Sequence, residues 1–319
     1  MPALLEQLKR FTTIVADGCD IAAIARHRPR DATIDVSQIL RAARSPRHAP
    51  LARAAAQRAG GEPVDRLFDR VLVAFGVEVL ELIDGRASTE VDARLSFDTR
   101  ATIERARRLI ALYESHGVAR DRVLVKIVAT WEGIRAAELL EREDVRCHMT
   151  LVFSTVQAQA AANAGVTAIS PFADRVRGRH ERGAGARADE AADAGDPGVR
   201  SVRAIYALLK GGGYPTEIMG ANLRTIDQIV ALAGCDSLAI GPELLEQLAQ
   251  TEGRLERALV PPAPGARGTP LAEPAFRYAL NDDATATEEL AAGIRILAAD
   301  AVKLQRLLAA PAAEPVATC

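Results

Sequence analysis

Lys126 lies within Val123-Leu124-Val125-Lys126-Ile127-Val128, a run whose β-branched residues favour a buried strand. An ammonium group there either finds a partner or gives up its proton, because burying an unpaired charge is costly. A deprotonated lysine attacks carbonyl carbon and forms Schiff bases. The chain has only four lysines, Lys9, Lys126, Lys210 and Lys303, among 40 basic residues, so 36 are arginine. Lys9, Lys210 and Lys303 read as exposed helix positions. Taken alone, the strand fits a structural lysine with a buried carboxylate partner better than a nucleophile. The residues that end the other strands reverse that preference.

Eight short apolar runs alternate with Ala-, Leu-, Arg- and Glu-rich helical segments such as Gly133–Glu143 and Thr225–Ala233. The candidate strands are Thr12–Ala16, Asp31–Asp35, Ala87–Val91, Val123–Val128, Cys147–Phe153, Val166–Pro171, Glu217–Ala221 and Ser237–Ile240. This alternation predicts a single-domain α/β protein, a (β/α)8 TIM-type barrel with extra helices at the C-terminus. The strands end in Asp17, Asp35, Glu90, Lys126, Thr150, Ser170 and Asn222, with Gly241-Pro242 closing the eighth. Barrel enzymes build their sites at that face. Each of these polar residues also fits a helix cap in the loop that follows. Seven at equivalent positions point to a site.

The chemistry open to this set is carbon–carbon bond cleavage or formation. A free lysine amine adds to a ketone and loses water to an iminium, which then accepts the electrons of the adjacent bond. One carboxylate must take the hydroxyl proton of the departing aldehyde, and a second must relay protons through water. Asp17 and Glu90 offer two carboxylates from different strands.

The 319 residues are 49% hydrophobic and 26% charged with net charge −2, an ordinary globular composition. That balance argues for neither a nucleic-acid nor a membrane partner. Neither a signal-peptide core nor a transmembrane run is evident, so a cytoplasmic protein is expected. Cys19, Cys147, Cys235 and Cys319 lack metal-ligand spacing and read as reduced thiols. Gly211-Gly212-Gly213 reads as a helix C-cap and not a phosphate loop. Asp174–Asp196 and Pro261–Pro274 read as irregular stretches, and residues 309–319 as a frayed tail.

Four segments resemble the transaldolases, which are class I, Schiff-base aldolases. They are Thr13-Ile14-Val15-Ala16-Asp17; Ser88-Thr89-Glu90-Val91-Asp92-Ala93-Arg94-Leu95-Ser96; Val125-Lys126 with Thr130-Trp131-Glu132-Gly133-Ile134-Arg135-Ala136-Ala137; and Ile169-Ser170-Pro171-Phe172. The resemblance runs from about Leu4 to Leu308. It implies a (β/α)8 barrel that transfers a three-carbon, dihydroxyacetone-like ketol unit between phosphorylated sugars without metal or organic cofactor. It also implies roles. Lys126 would form the imine, Asp17 would be the acid/base, and Glu90 with Thr150 would hold a catalytic water. Thr33, Asp35, His148, Ser170, Phe172 and Asn222 would surround the donor. Arg175 and Arg224 would bind the phosphate. A homodimer is compatible with this reading.

The chain departs from the family where the donor's head would sit. Thr33-Ile34-Asp35-Val36-Ser37 stands where Thr-Thr-Asn-Pro-Ser is usual. His148 replaces an asparagine, Asn222 a serine, and the stretch after Arg175 lacks expected aromatic residues. A carboxylate accepts hydrogen bonds but cannot donate them, and an imidazole can carry charge. The expectation is an altered donor or acceptor. A protonated His148 would pair with Asp35, or each would meet a charged group of an unusual substrate. A non-catalytic sugar-phosphate binder is the rival reading.

Overall fold

The computed structural model describes residues 2–57, 62–173 and 195–309. Eight parallel strands close into a barrel in chain order. They are β1 (Thr13–Asp17), β2 (Asp31–Ile34), β3 (Ala87–Glu90), β4 (Val123–Val128), β5 (Cys147–Val152), β6 (Ala168–Pro171), β7 (Glu217–Gly220) and β8 (Ser237–Ile240). Closure is carried by β1 against β8, with Thr13 opposite Ser237 and Ala16 opposite Ile240. β2, β3, β4, β5, β6 and β8 are buried along their whole length, as expected when helices cover one face and the barrel interior the other.

Every strand boundary agrees with the sequence reading to within two residues. Three of the small differences are informative. Asp35 lies beyond β2, because its side chain caps the next helix. Val166 and Thr167 are not in β6. Ala221 leaves β7 but still bridges Phe172.

Helices that matter for the site are α1 (Leu4–Leu8), α2 (Ile21–His27), α3 (Val36–Arg44), α4 (Ala49–Gln57), α5 (Val64–Leu80), α6 (Thr99–Ser115), α7 (Trp131–Glu141), α8 (Thr155–Asn163), α9 (Pro197–Gly211), α10 (Ile226–Ala231), α11 (Pro242–Gln250), α12 (Glu273–Asp282) and α13 (Ala284–Ala309), numbered among the described residues. Many begin at a short polar residue that accepts from the first turn. Asp20, Asp35, Asp98, Thr130, Ser154, Asp196 and Thr225 all do so. The loops after the strands therefore end in defined geometry, which fixes where each helix leaves the barrel mouth.

Gly212 caps α9 and Gly213 follows at φ 63°, a left-handed turn suited to glycine. The chain from 261 to 272 is irregular, and α12 starts at Glu273. Helix α13 runs to Ala309, so the first residue assigned to the tail is helical, while 310–319 lie outside the described residues. No described helix is long and apolar enough to cross a membrane.

One further expectation changes. Lys210 is half-buried, with Nζ 2.6 Å from Asp236 Oδ2, so it is a tethered cation and not a freely exposed helix residue. Lys9 and Lys303 pair with Glu6 and Asp300, each at 2.8 Å. Cys19, Cys147 and Cys235 are free and buried, and Cys319 lies outside the described residues.

Candidate active site

The barrel interior is divided. On the side of β1, β7 and β8, Val15, Met219, Ala221 and Ala239 form a small apolar cluster with Phe172 packed on it. On the side of β2 to β6 the cavity wall carries Thr33, Glu90, Lys126, His148, Thr150 and Ser170. Side chains on one strand face repeat every second residue, so Ser88 and Glu90 of β3 point the same way. Above both halves opens a cavity of about 690 Å³ at the C-terminal ends of the strands. Its wall gathers Lys126, Asp17, Glu90 and Thr150. Around them lie Thr33, Asp35, His148, Ser170, Phe172, Asn222 and Arg224. Arg175 lies outside the described residues.

Strand register sets the central row. Glu90 of β3 stands opposite Lys126 of β4, which stands opposite His148 of β5. Lys126 is only 6% exposed, and its Nζ lies 3.9 Å from Glu90 Oε1. The distance gives charge attraction without a direct hydrogen bond. Burial is the main influence on Glu90, pushing its carboxyl up to about 7. Lys126 opposes the rise and the Asp35 charge adds to it. An acid/base group near neutral pH is suited to exchanging protons.

Asp17 ends β1, opposite Thr33 of β2. Its carboxyl is raised by burial and then by the neighbouring Asp35 charge. The Gln38 amide, Lys126 and Arg224 pull the other way. Thr150 precedes a break in regular pairing. The register of β5 with β6 shifts between Met149 and Val152, and Leu151 takes φ 55°. A bulge of this kind re-aims the side chains beside it, and strained backbone clusters at functional sites. Asn222 also sits at φ 57°, a conformation asparagine tolerates better than most residues.

His148 is buried, and its Nδ1 meets Ser88 Oγ at 3.0 Å. Burial first, then the Lys126 and Arg86 charges, depress its pKa to about 3. The ring is therefore neutral at physiological pH. Asp35 spends its carboxylate elsewhere, accepting from the Gln38 backbone N–H at 2.8 Å. The His148–Asp35 ion pair, one of the two arrangements expected for a protonated ring, does not form, because the imidazole carries no charge to offer. Three polar atoms on the cavity wall, Thr33 Oγ1, His148 Nε2 and Asn222 Oδ1, have no hydrogen-bond partner among the described residues. Buried polar atoms are rarely left so, and here they face a space a ligand can fill.

Several wall residues escaped the sequence reading. Gln38 donates to Asp17 Oδ1 at 2.7 Å. Its signal was legible, because Asp35 followed three places later by glutamine is a capping-box spacing. Ser88 is not on the wall but supports His148 Nδ1 from behind it, and it could have been found from its place two residues before Glu90. Ile296, Leu297 and Asp300 come from α13, which lies beside the mouth and is tied to α3 by Ser37 Oγ donating to Asp300 Oδ2 at 2.7 Å. Nothing local in the sequence announces that contact.

A closed (β/α)8 barrel with a buried lysine beside Glu90, and Asp17 on the same wall of its C-terminal mouth, defines an aldolase-like scaffold. The family model described as transaldolase/fructose-6-phosphate aldolase matches residues 14–308. A protein named transaldolase from Methylibium petroleiphilum is 53% identical over 315 residues, covering 97% of this chain and all of that one. Among solved structures, a mandelate oxidase mutant with an FMN adduct aligns over 92% of this chain and 77% of its own, at 14% identity and TM-score 0.37, too low to bear on the assignment. The chain belongs to the transaldolase/fructose-6-phosphate aldolase family, and it is a transferase of the transaldolase type.

Proposed function

We propose that this protein transfers a three-carbon ketol unit between phosphorylated sugars through an imine on Lys126. The observation that carries the reading is the row Glu90–Lys126 in register, with Asp17 and Thr150 on the same cavity wall. The Lys126 amine adds to the ketone of the donor. The carbinolamine then loses its hydroxyl as water, with the proton supplied through Glu90 and a water held by Glu90 and Thr150. Asp17 takes the proton from the hydroxyl next to the scissile bond. That bond's electrons move into the iminium, the aldehyde leaves, and a three-carbon enamine stays on the lysine. Addition to an acceptor aldehyde reverses these steps, and hydrolysis frees Lys126. Arg224 at the rim, with Arg175, would hold the phosphate by paired guanidinium donors. No cofactor is needed for this sequence.

A second reading keeps the chemistry and changes the donor. It is favoured by Asp35 and His148, which put a carboxylate and a neutral imidazole where amides are usual. Assay with fructose 6-phosphate and erythrose 4-phosphate separates the two. Turnover at about 1–10³ s⁻¹ supports the ordinary transaldolase. Weak transfer combined with borohydride trapping of another ketose phosphate on Lys126 supports the altered donor. Failure of every ketose phosphate to be trapped sinks both.

A further inference from the structure

Both ends of the Gln38 amide are committed. Its Oε1 accepts from the Asp35 backbone N–H at 2.8 Å, and its Nε2 donates to Asp17 Oδ1 at 2.7 Å. A backbone N–H can only donate, so the amide cannot be turned round, and its NH2 must face Asp17. Gln38 itself is held by the first turn of α3, where its own N–H is taken by Asp35 Oδ1 at 2.8 Å. Helix cap and carboxylate are thus one connected unit.

We propose that Gln38 is a positioning residue for Asp17, fixing one carboxylate oxygen so that the other is turned to the substrate. The proposal rests on the acid/base role given to Asp17 above. Asp35 stands beside Asp17 as a second carboxylate from the β2–α3 loop, while Lys126 from β4 and Arg224 from the loop after β7 are the cations that face it. Two neighbouring carboxylates disfavour each other's charge. A donor clamped on Asp17 offsets that repulsion and removes a rotation the bare side chain would have. The resemblance places an amide at position 35. Here a carboxylate stands there, and the amide comes from one turn further along the helix.

Gln38→Glu is the informative change. Glutamate at this helix position still completes the capping box, so α3 keeps its start, but the group facing Asp17 becomes an acceptor. In the full chain, two measurements apply. Carbon-13 NMR titration of the Asp17 carboxyl, assigned by its loss in Asp17→Asn, should show its midpoint move to higher pH. The acidic limb of the kcat profile with fructose 6-phosphate should move the same way, with kcat falling about 10–100-fold, the scale of a misplaced catalytic group. KM should change little. Borohydride trapping on Lys126 should persist, because imine formation precedes the step that uses Asp17. Gln38→Met should shift both midpoints in the same direction by less, and it decides the matter if the glutamate variant does not fold. An unmoved Asp17 midpoint in the folded variant overturns the clamp. A moved midpoint with unchanged kcat overturns its catalytic value. Absence of any Lys126 adduct in the unmodified protein instead overturns the proposed function, and the NMR titration still decides the clamp.

Discussion

Glu90 and Lys126 face each other across neighbouring strands, with Nζ 3.9 Å from Oε1 and both side chains almost wholly buried. A buried charge pair that lacks a direct hydrogen bond contributes little to stability, because desolvation of both ions opposes the attraction. The pair makes more sense as working chemistry than as a strut.

Covalent trapping tests that directly. Sodium borohydride with a ketose phosphate should attach the ligand to Lys126, read by peptide mass mapping. Lys9, Lys210 and Lys303 each hold a carboxylate at 2.6–2.8 Å and should stay unlabelled. Lys126→Arg should abolish trapping, since a guanidinium stays protonated. A label on any of the other three lysines would refute the mechanism.

Glu90→Gln should slow imine formation and hydrolysis by about 10²–10⁴-fold, the contribution of a positioned acid/base, while circular dichroism stays native. Near-wild-type single-turnover rates would show that Glu90 has no part in proton relay.

The same substitution should change how stability depends on pH. Glu90 binds its proton up to about 7 in the folded state, against an ordinary value of 4.5. Between those two pH values the folded state holds the proton more firmly, so this group's contribution falls as pH rises through that window. Denaturant unfolding at pH 5 and pH 8 should show Glu90→Gln gaining on the unmodified protein by on the order of 1–3 kcal/mol. A constant difference between the two pH values would mean that Glu90 titrates normally.

His148 should not titrate near neutral pH. Its folded pKa is pushed to about 3, so His148 itself should add no step near 6.5 to substrate affinity. Ser88 Oγ has no other partner among the described residues than His148 Nδ1. If its hydroxyl donates there, both hydrogens are placed, and Nε2 carries the N–H that faces the cavity. Nitrogen-15 NMR should therefore find the Nε2-protonated tautomer, and Ser88→Ala should allow the other. A protonated ring at pH 6 would restore the discarded ion pair with Asp35.

Arg224→Ala should raise KM for a phosphorylated donor by roughly 10–150-fold, which is about 1.5–3 kcal/mol for a charged hydrogen bond. A donor without phosphate should be unaffected. Equal losses for both would show that Arg224 does not read the phosphate.

The sequence by itself determined the strands, their order and the polar residues at or near the C-terminal ends of seven of them. Strand identity follows from short-range propensity, as in Val123–Val128, and parallel order follows from the helices between strands. The motifs around Asp17, Glu90, Lys126 and Ser170 were equally local, so the family was legible before any coordinate. Tertiary structure alone decided what each side chain meets. Strand register, set by closure of all eight strands together, put Glu90 opposite Lys126 and His148 next to it. Burial left His148 neutral and committed Asp35 to a helix cap, neither of which residue type reveals. Ser37 and Asp300 lie 263 residues apart, yet they join α13 to the mouth of the barrel. Such contacts depend on where the whole chain has gone, and no periodicity within a few turns can encode them.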